Sequence, residues 1–541
     1  MSLKNKIPKS GWAGLTENWK EDALSGFLVS LIALPLCLGI AGASNFPLVM
    51  GVVTAIVGGI IVSFFAGSEL TIKGPAAGLI VIIAGAVEEF GRGDMDTGWK
   101  LTAAVVVCAG IFQIILGWAR IAALANFFPL SAIHGMLAAI GIIIISKQIH
   151  FAIGIQPSEL KGKEPVELIE MVPHSLTHLE WHIALIGILS LIILFVFPAI
   201  NNKIIKAIPA ALVVLLVGIA FDFMFHLNDP AFKKYNPLVN PGELTLGLNA
   251  DFSGLGGDNT YLFVKYFFLL TIIGSLESIL TGKAIDLLDP WKRKAKLSQD
   301  LTAVGIGNTI SGLLGGLPMI SEVARSSANI NNGGRTKWAN FFHGSFLLIF
   351  VVLLSSVISL VPVASLAAML IFVGYRLASP KLFSHTLKTG AGQLFIFVAT
   401  IFITLFTDLL IGVFTGILLE FLLNIYNGMS LKNAFRPQTK VEQKNNNEYR
   451  VSLSGAGTFS NWIAFEKQMN KIPEGKKVTL DISKAKLLDH TFMENIIHIK
   501  DEYESESEGT FCIIGTEGMK KLAREHTAAM KRMKEIVVAE E

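Results

Sequence analysis

The sequence predicts a polytopic α-helical membrane protein carrying a small soluble α/β domain at its C-terminal end. Two observations predict the membrane part. The chain is 52% hydrophobic and only 16% charged, with mean hydropathy +0.57, well outside the range of a soluble domain. Its apolar residues also fall in a train of runs of about 17–25 residues, the length needed to cross a bilayer. The third observation is the abrupt loss of this character after Asn427, where short β-branched runs begin to alternate with amphipathic ones.

Apolar runs fall near 23–44, 47–67, 102–119, 128–147, 183–200, 207–225, 261–282, 300–314, 339–360, 362–377, 391–407 and 409–427. Two more, 74–90 and 320–332, are too short or interrupted to cross alone, and counting them gives about fourteen elements. The first run follows Lys4, Lys6, Lys9 and Lys20 and has no small-residue cleavage site, so it reads as a span and not as a removed leader. With the N-terminus inside, the inner loops collect Arg120, Lys203, Lys206, Lys292 to Lys296, Arg335, Lys337, Arg376, Lys381 and Lys388, as cytoplasmic loops do. That bias holds along the chain only if both short runs count as crossings, which makes each a half-helix entered by extended chain. A net charge of +3 suggests no nucleic-acid partner, and Cys37, Cys108 and Cys512 show no metal or disulfide spacing.

The centre of the sequence is Gly315 to Thr336, GGLPMISEVARSSANINNGGRT. Pro318 ends one helix and forces a short extended run. Ser321, Ser326 and Ser327 can open the next, and Glu322 and Arg325 stand about a turn apart. A helix that begins inside a bilayer points bare N–H groups and a positive dipole end at the midplane, which is an anion site that Arg325 strengthens. The plainer alternative is a loop with an incidental surface salt bridge. Shifting the chain by 248 residues matches Thr54, Ala55, Gly59, Ser63, Gly67 and Ile72 to Thr302, Ala303, Gly307, Ser311, Gly315 and Ile320. The shift aligns the approach to Lys73-Gly74-Pro75-Ala76-Ala77 with the approach to Ser321 to Arg325. Seven elements separate the copies, an odd number, so the halves are inverted, as in alternating-access transporters with paired broken helices.

The remaining charges within the apolar runs are few, and one is Glu277, with Thr281 on the same helical face. Such a carboxylate faces a cavity or a partner: either a coupling-ion site for Na+ or a proton, or a structural ion pair, for instance with Arg325. Asp22 and Lys73 are expected nearer the boundary, where snorkelling makes them cheap. His134, His150 and His343 are expected to satisfy local hydrogen bonds. With no nucleophile–base pair or metal cluster in the spans, the chain does not read as an enzyme. In the tail, Tyr449–Leu453, Lys477–Ile482 and Phe511–Ile514 read as strands, and Ser460–Met469, Thr491–Tyr503 and Lys520–Lys534 as helices. The expected organisation is a cytoplasmic N-terminal segment 1–22, a membrane domain 23–430, a polar linker 431–447 and a soluble cytoplasmic domain 448–541.

Several motifs together resemble the SulP anion transporter family: Leu34-Pro35, Gly67 to Ala77, Glu277-Ser278, and Gly315-Gly316-Leu317-Pro318 running to Arg325-Ser326. The tail resembles its STAS domain through Leu480-Asp481-Ile482-Ser483 and Leu488-Asp489-His490-Thr491. The resemblance implies a 7+7 inverted repeat split into core and gate bundles, an elevator-like motion and a homodimer in the plasma (inner) membrane. It places the anion at Pro75, Ala76, Ala77, Ser321, Glu322 and Val323, with Arg325 as the basic contact. It also assigns Na+ to Glu277 and Thr281, as in the bicarbonate-transporting branch, which Asn329-Ile330 and Gly333 to Thr336 also resemble. Leu36 departs from the usual Gln, and Glu322 from a small or hydroxyl residue; Glu322 is expected to pair with Arg325 or titrate. Thr491 stands where phosphorylated relatives carry Ser, although a helix N-cap is the commoner role for Thr there.

The function expected is secondary active uptake of a small inorganic anion, bicarbonate ahead of sulfate, coupled to Na+ or H+, with no cofactor beyond that coupling ion. The alternatives are a sulfate, chloride or dicarboxylate carrier on the same fold, or a membrane regulator in which the STAS domain, with a cytoplasmic partner, does the work and the spans sense anions.

Overall fold

The structure, a computed structural model, describes residues 7–120, 128–160, 163–201, 208–240, 247–353, 355–407, 409–473, 475–506 and 509–532. Lys203 and Lys206 of the expected inner loops lie outside the described residues. The first seven elements are α1 (Gly11–Ala43), α2 (Leu48–Ile60, continued by Val62–Phe65), the strand β1 (Ile72–Pro75) with half-helix α3 (Ile80–Gly91), α4 (Met95–Trp118), α5 (Leu130–Ala152), α6 (Trp181–Val196) and α7 (Ala210–Phe225). The next seven are α8 (Thr260–Leu288), α9 (Leu297–Leu313), the strand β2 (Met319–Glu322) with half-helix α10 (Val323–Asn331), α11 (Trp338–Leu353), α12 (Val363–Leu377), α13 (Ala391–Phe406) and α14 (Leu409–Tyr426). Among the described residues seven helices are long and apolar enough to cross a membrane, and four shorter ones are apolar.

The offset of 248 carries α2, residues 48–65, onto 296–313, within a residue of α9, and carries β1 onto β2 to the same tolerance. The repeat is therefore structural. β1 and β2 pair antiparallel, with Lys73 opposite Ser321 and Pro75 opposite Met319, as equivalent strands of inverted halves must. Small residues allow the helices around them to close. A Cβ on Gly59 of α2 would come within 2.4 Å of the Gly344 Cα on α11, the close approach that membrane helices use in place of a hydrophobic drive.

One helix begins well before its apolar run. α1 starts at Gly11, so the first helix takes in much of segment 1–22. Within it Asp22 is fully buried and accepts from the backbone N–H of Arg335 at 2.7 Å and of Thr336 at 3.0 Å. Asp22 thus anchors the turn after α10 instead of snorkelling.

By internal contacts the chain forms two compact units, Met1–Ala122 with Ile140–Leu377, and Ala123–Ala139 with Ala378–Glu541. In the second, α13 and α14 join a six-stranded sheet of β3 (Gln438–Asn445), β4 (Glu448–Gly457), β5 (Lys477–Leu488), β6 (Thr510–Ile514), β7 (Met519–Lys521) and β8 (Met530–Arg532). The order is β3-β4-β5-β8-β7, with β6 also on β5. Helices α15 (Trp462–Met469) and α16 (His490–Glu506) supply Trp462, Phe465 and Phe492 to a core with Val451 and Leu480. The polar run expected as a linker is largely β3, an edge strand whose solvent-facing residues hide its alternation. Lys520 to Arg532 is not helical but forms the β7–β8 hairpin, because Met530 pairs with Leu488 of β5 and buries there.

Candidate anion site

Pro75 and Pro318 keep the backbone extended on either side of the break, and the freed amides of one strand find the other. Beyond the ladder, Ala76 N–H donates to Pro318 O at 3.2 Å. Helical structure then restarts at Ala77 through a short 3-10 turn and at Val323, and neither start has a side-chain cap. The first N–H groups of both, at Ala77 and Gly78 and at Val323 and Ala324, therefore have no acceptor within their own helix. The interrupted crossings meet side by side, and their helix starts lie at opposite ends of the strand pair, on the order of 10 Å apart by the rise of a strand.

Side chains alternate across a strand, so the pair has two faces. On the first, Lys73 and Ser321 meet α9. Lys73 is fully buried; its Nζ lies 2.9 Å from Asp300 Oδ1 and also donates to the Thr71 hydroxyl. Asp300 accepts further from Gly67 N at 3.0 Å, Ser68 N at 3.2 Å and Ser321 Oγ at 3.1 Å. Farther along, Asn308 receives Met319 N–H at 2.6 Å and Thr54 receives Leu317 N–H at 2.8 Å. Every polar group named on this face is matched, which is the condition for burying a charge without a large penalty.

The second face carries Gly74, Ile320 and Glu322 and looks toward α8. Arg325 folds back over it: a Cβ on Gly74 would fall 2.1 Å from an Arg325 guanidinium nitrogen. That guanidinium is buried, and none of its three nitrogens has a hydrogen-bond partner. Glu277 projects from α8 onto the start of the other half-helix, where a Cβ on Gly78 would fall 2.0 Å from its carboxylate. Both Glu277 oxygens are buried and unpartnered, and Thr281 lies buried one turn on. Among the described residues neither Arg325 nor Glu277 forms an ion pair, and Glu322 does not pair with Arg325. The structural ion pair that the spacing allowed is absent: the guanidinium lies over Gly74 and the Glu277 carboxylate over Gly78. The Glu322 carboxylate instead faces Glu277.

Pro75, Ala76, Ala77, Glu322, Val323 and Arg325 lie in or next to the strand pair. Ser321 is a correction, since its hydroxyl points to the first face and its N–H donates to Ser278 Oγ at 2.9 Å. Lys73 is another, as it is a buried ion-pair member and no boundary residue. His343 of α11, expected to be locally satisfied, is fully buried with neither ring nitrogen partnered and faces Arg325. Asp300 and Asn308 escaped the sequence reading because a polar residue in a span carries no mark of what it touches. Thr491 lies elsewhere, buried, with its hydroxyl accepting Leu130 N–H at 3.2 Å. The N-cap of α16 is Asp489, which receives Phe492 N–H at 2.7 Å.

Fourteen elements with two half-helices pairing through strands define a membrane transporter of the broken-helix class. The profile of the sulfate permease family matches residues 19–400, and the chain belongs to that family of anion transporters. It is 27% identical over 413 residues to the putative sulfate transporter YvdB of Bacillus subtilis (strain 168), covering 75% of this chain and 73% of that one. It is 23% identical over 540 residues to the bicarbonate transporter BicA of Synechocystis sp. (strain ATCC 27184 / PCC 6803 / Kazusa), covering 96% and 91%. Among solved structures, the transmembrane domain of a cyanobacterial BicA aligns with TM-score 0.66 at 23% identity, over 75% of this chain and all of that one. SLC26A9 aligns with TM-score 0.65 at 15% identity, over 93% and 85%.

Proposed function

We propose that this protein takes up a small inorganic anion by secondary active transport, bicarbonate ahead of sulfate, with Na+ or H+ entering at Glu277. The observation that carries the reading is Arg325, a buried guanidinium with no partner beside uncapped helix starts. Leaving such a charge unmatched costs several kcal/mol, and an anion between the strand face and the helix starts relieves that cost while its lost hydration is replaced by N–H donors. The unpartnered Glu277 carboxylate lies against one of those starts. It competes with the anion until a cation or proton neutralises it, which couples the two. Glu322, the residue before the other helix start, adds a second negative charge felt by Glu277 and so sharpens the dependence. The apolar Leu36, where a hydrogen-bonding Gln is common, favours a small monovalent ion over a bulky dianion. The remaining parts of the reading are a homodimer, an elevator-like motion of the core, and a cytoplasmic N-terminus and tail in an inner-membrane protein.

Isotope uptake into proteoliposomes, comparing bicarbonate, sulfate, chloride and succinate under separate Na+ and pH gradients, tests this. Bicarbonate uptake driven by one gradient, and made independent of it by Glu277→Gln, is the expected result. Ligand binding without flux would instead make the protein an anion sensor working through its soluble domain.

A further inference from the structure

The second unit holds buried acids that anion transport does not use. Glu420 on α14 is fully buried; its Oε1 accepts from Gln393 Nε2 of α13 at 3.1 Å, and its Oε2 has no partner. Gln393 in turn accepts from the Ser131 hydroxyl at the start of α5. One turn beyond Glu420, on the same face, Asn424 donates to Asp489 Oδ2 at 2.9 Å. Asp489, between β5 and α16, is also fully buried and receives Phe459 N–H at 2.8 Å and Phe492 N–H at 2.7 Å. Two carboxyls thus face each other across one helical turn, and among the described residues no Lys or Arg pairs with either. The other titratable groups nearby are His490, which bonds Thr527 O at 2.9 Å, with Glu494, Glu525, His385 and His134 around it. Burial holds His490 below its ordinary value, so it brings no positive charge at neutral pH.

We propose that Glu420 and Asp489 form a proton-binding site, and that a proton held there keeps the soluble domain seated on α13 and α14. The donors decide where the proton sits. Asp489 receives three N–H groups, which suits a carboxylate, whereas Glu420 receives one and keeps a bare oxygen, which suits an acid. With that proton gone, two carboxylates share a dry site and repel. Burial pushes the Asp489 carboxyl up to about 6 despite its three donors, in keeping with a site short of positive charge. The sign follows. A carboxyl raised in the folded state stabilises it fully below the ordinary 3.8 and loses that contribution as pH rises through about 6. The hold therefore weakens as the solution turns alkaline.

The test uses the full-length protein in lipid nanodiscs. Infrared spectra at neutral pH should show the carbonyl band of a buried carboxylic acid that disappears in Glu420→Gln. Amide exchange at Phe459 and Phe492, corrected for its intrinsic pH dependence, should lose protection in the wild type by about tenfold per pH unit once the proton leaves, and stay flat in Glu420→Gln. Should that variant fail to assemble, the wild-type titration and Asp489→Asn carry the test. The proposal is overturned by a wild type that lacks the acid band, by a band unchanged in Glu420→Gln, or by protection that does not fall with pH.

Discussion

Two buried cations, Lys73 and Arg325, lie on opposite faces of one two-stranded sheet and have opposite surroundings. Lys73 meets a carboxylate that itself receives two backbone amides and a hydroxyl, whereas Arg325 meets no carboxylate and has the Cys37 thiol of α1, a weak acceptor, as its polar neighbour. Both are almost inaccessible to solvent, so burial does not separate them; partnership does. A charge matched on every side is scaffold, and removing one member leaves the other stranded. A charge left bare in a core is tolerated only where a ligand completes it. The face toward α9 therefore fixes the register of the strands, and the face toward α8 is where an anion is to be sought.

The comparison breaks most sharply at Lys73. Lys73→Met should cost about 3–5 kcal/mol of stability, seen as a large fall in the melting temperature of the purified protein, and an added Asp300→Leu should restore much of it. An unchanged melting temperature in the single variant would show that the ion pair does not brace the strands. Arg325→Ala should do the reverse: uptake lost by about a hundredfold, from a binding loss of about 2–5 kcal/mol, with the melting temperature held or raised. Normal uptake by a well-folded Arg325→Ala protein would remove that side chain from the site.

Finer probes are Gly74→Ala and Gly78→Ala, whose new methyl groups first meet the far ends of the Arg325 and Glu277 side chains. Both variants should fold. Gly74→Ala should weaken anion affinity by about tenfold, the equivalent of about 1.4 kcal/mol, and Gly78→Ala should mainly shift the cation dependence; identical effects from the two would mean that the chamber is not divided in this way. The smallest effect is expected from removing residues 436–541, since every side chain proposed for the anion and the cation lies upstream. Uptake rate or expression should change while the ranking of anions stays the same, and an altered ranking in competition assays would contradict that.

Much of this was legible in the residues because a bilayer imposes simple rules. Spans must be apolar and about twenty residues long, broken crossings need Pro and Gly, and basic loops count parity, so the half-helices at 74–90 and 320–332 and the repeat at 248 could be read directly. The tail is less legible. β3 is an exposed polar edge, and the β7–β8 hairpin is dictated by Met530 reaching β5, a contact that local periodicity does not encode.

Arg325 and Glu277 could be singled out from sequence alone, since a charge within an apolar run is conspicuous and costly. Composition and spacing also indicate the membrane class, the inversion of the halves and a C-terminal α/β domain. Only the three-dimensional packing decided that Arg325 and Glu277 do not pair, that Lys73 and Asp300 do, that Ser321 turns away from the chamber, and that Glu420 faces Asp489. The physical reason is that hydropathy reports the solvent a segment prefers, whereas a polar side chain's partner is set by the twist of the strands and the approach of helices far away in the chain.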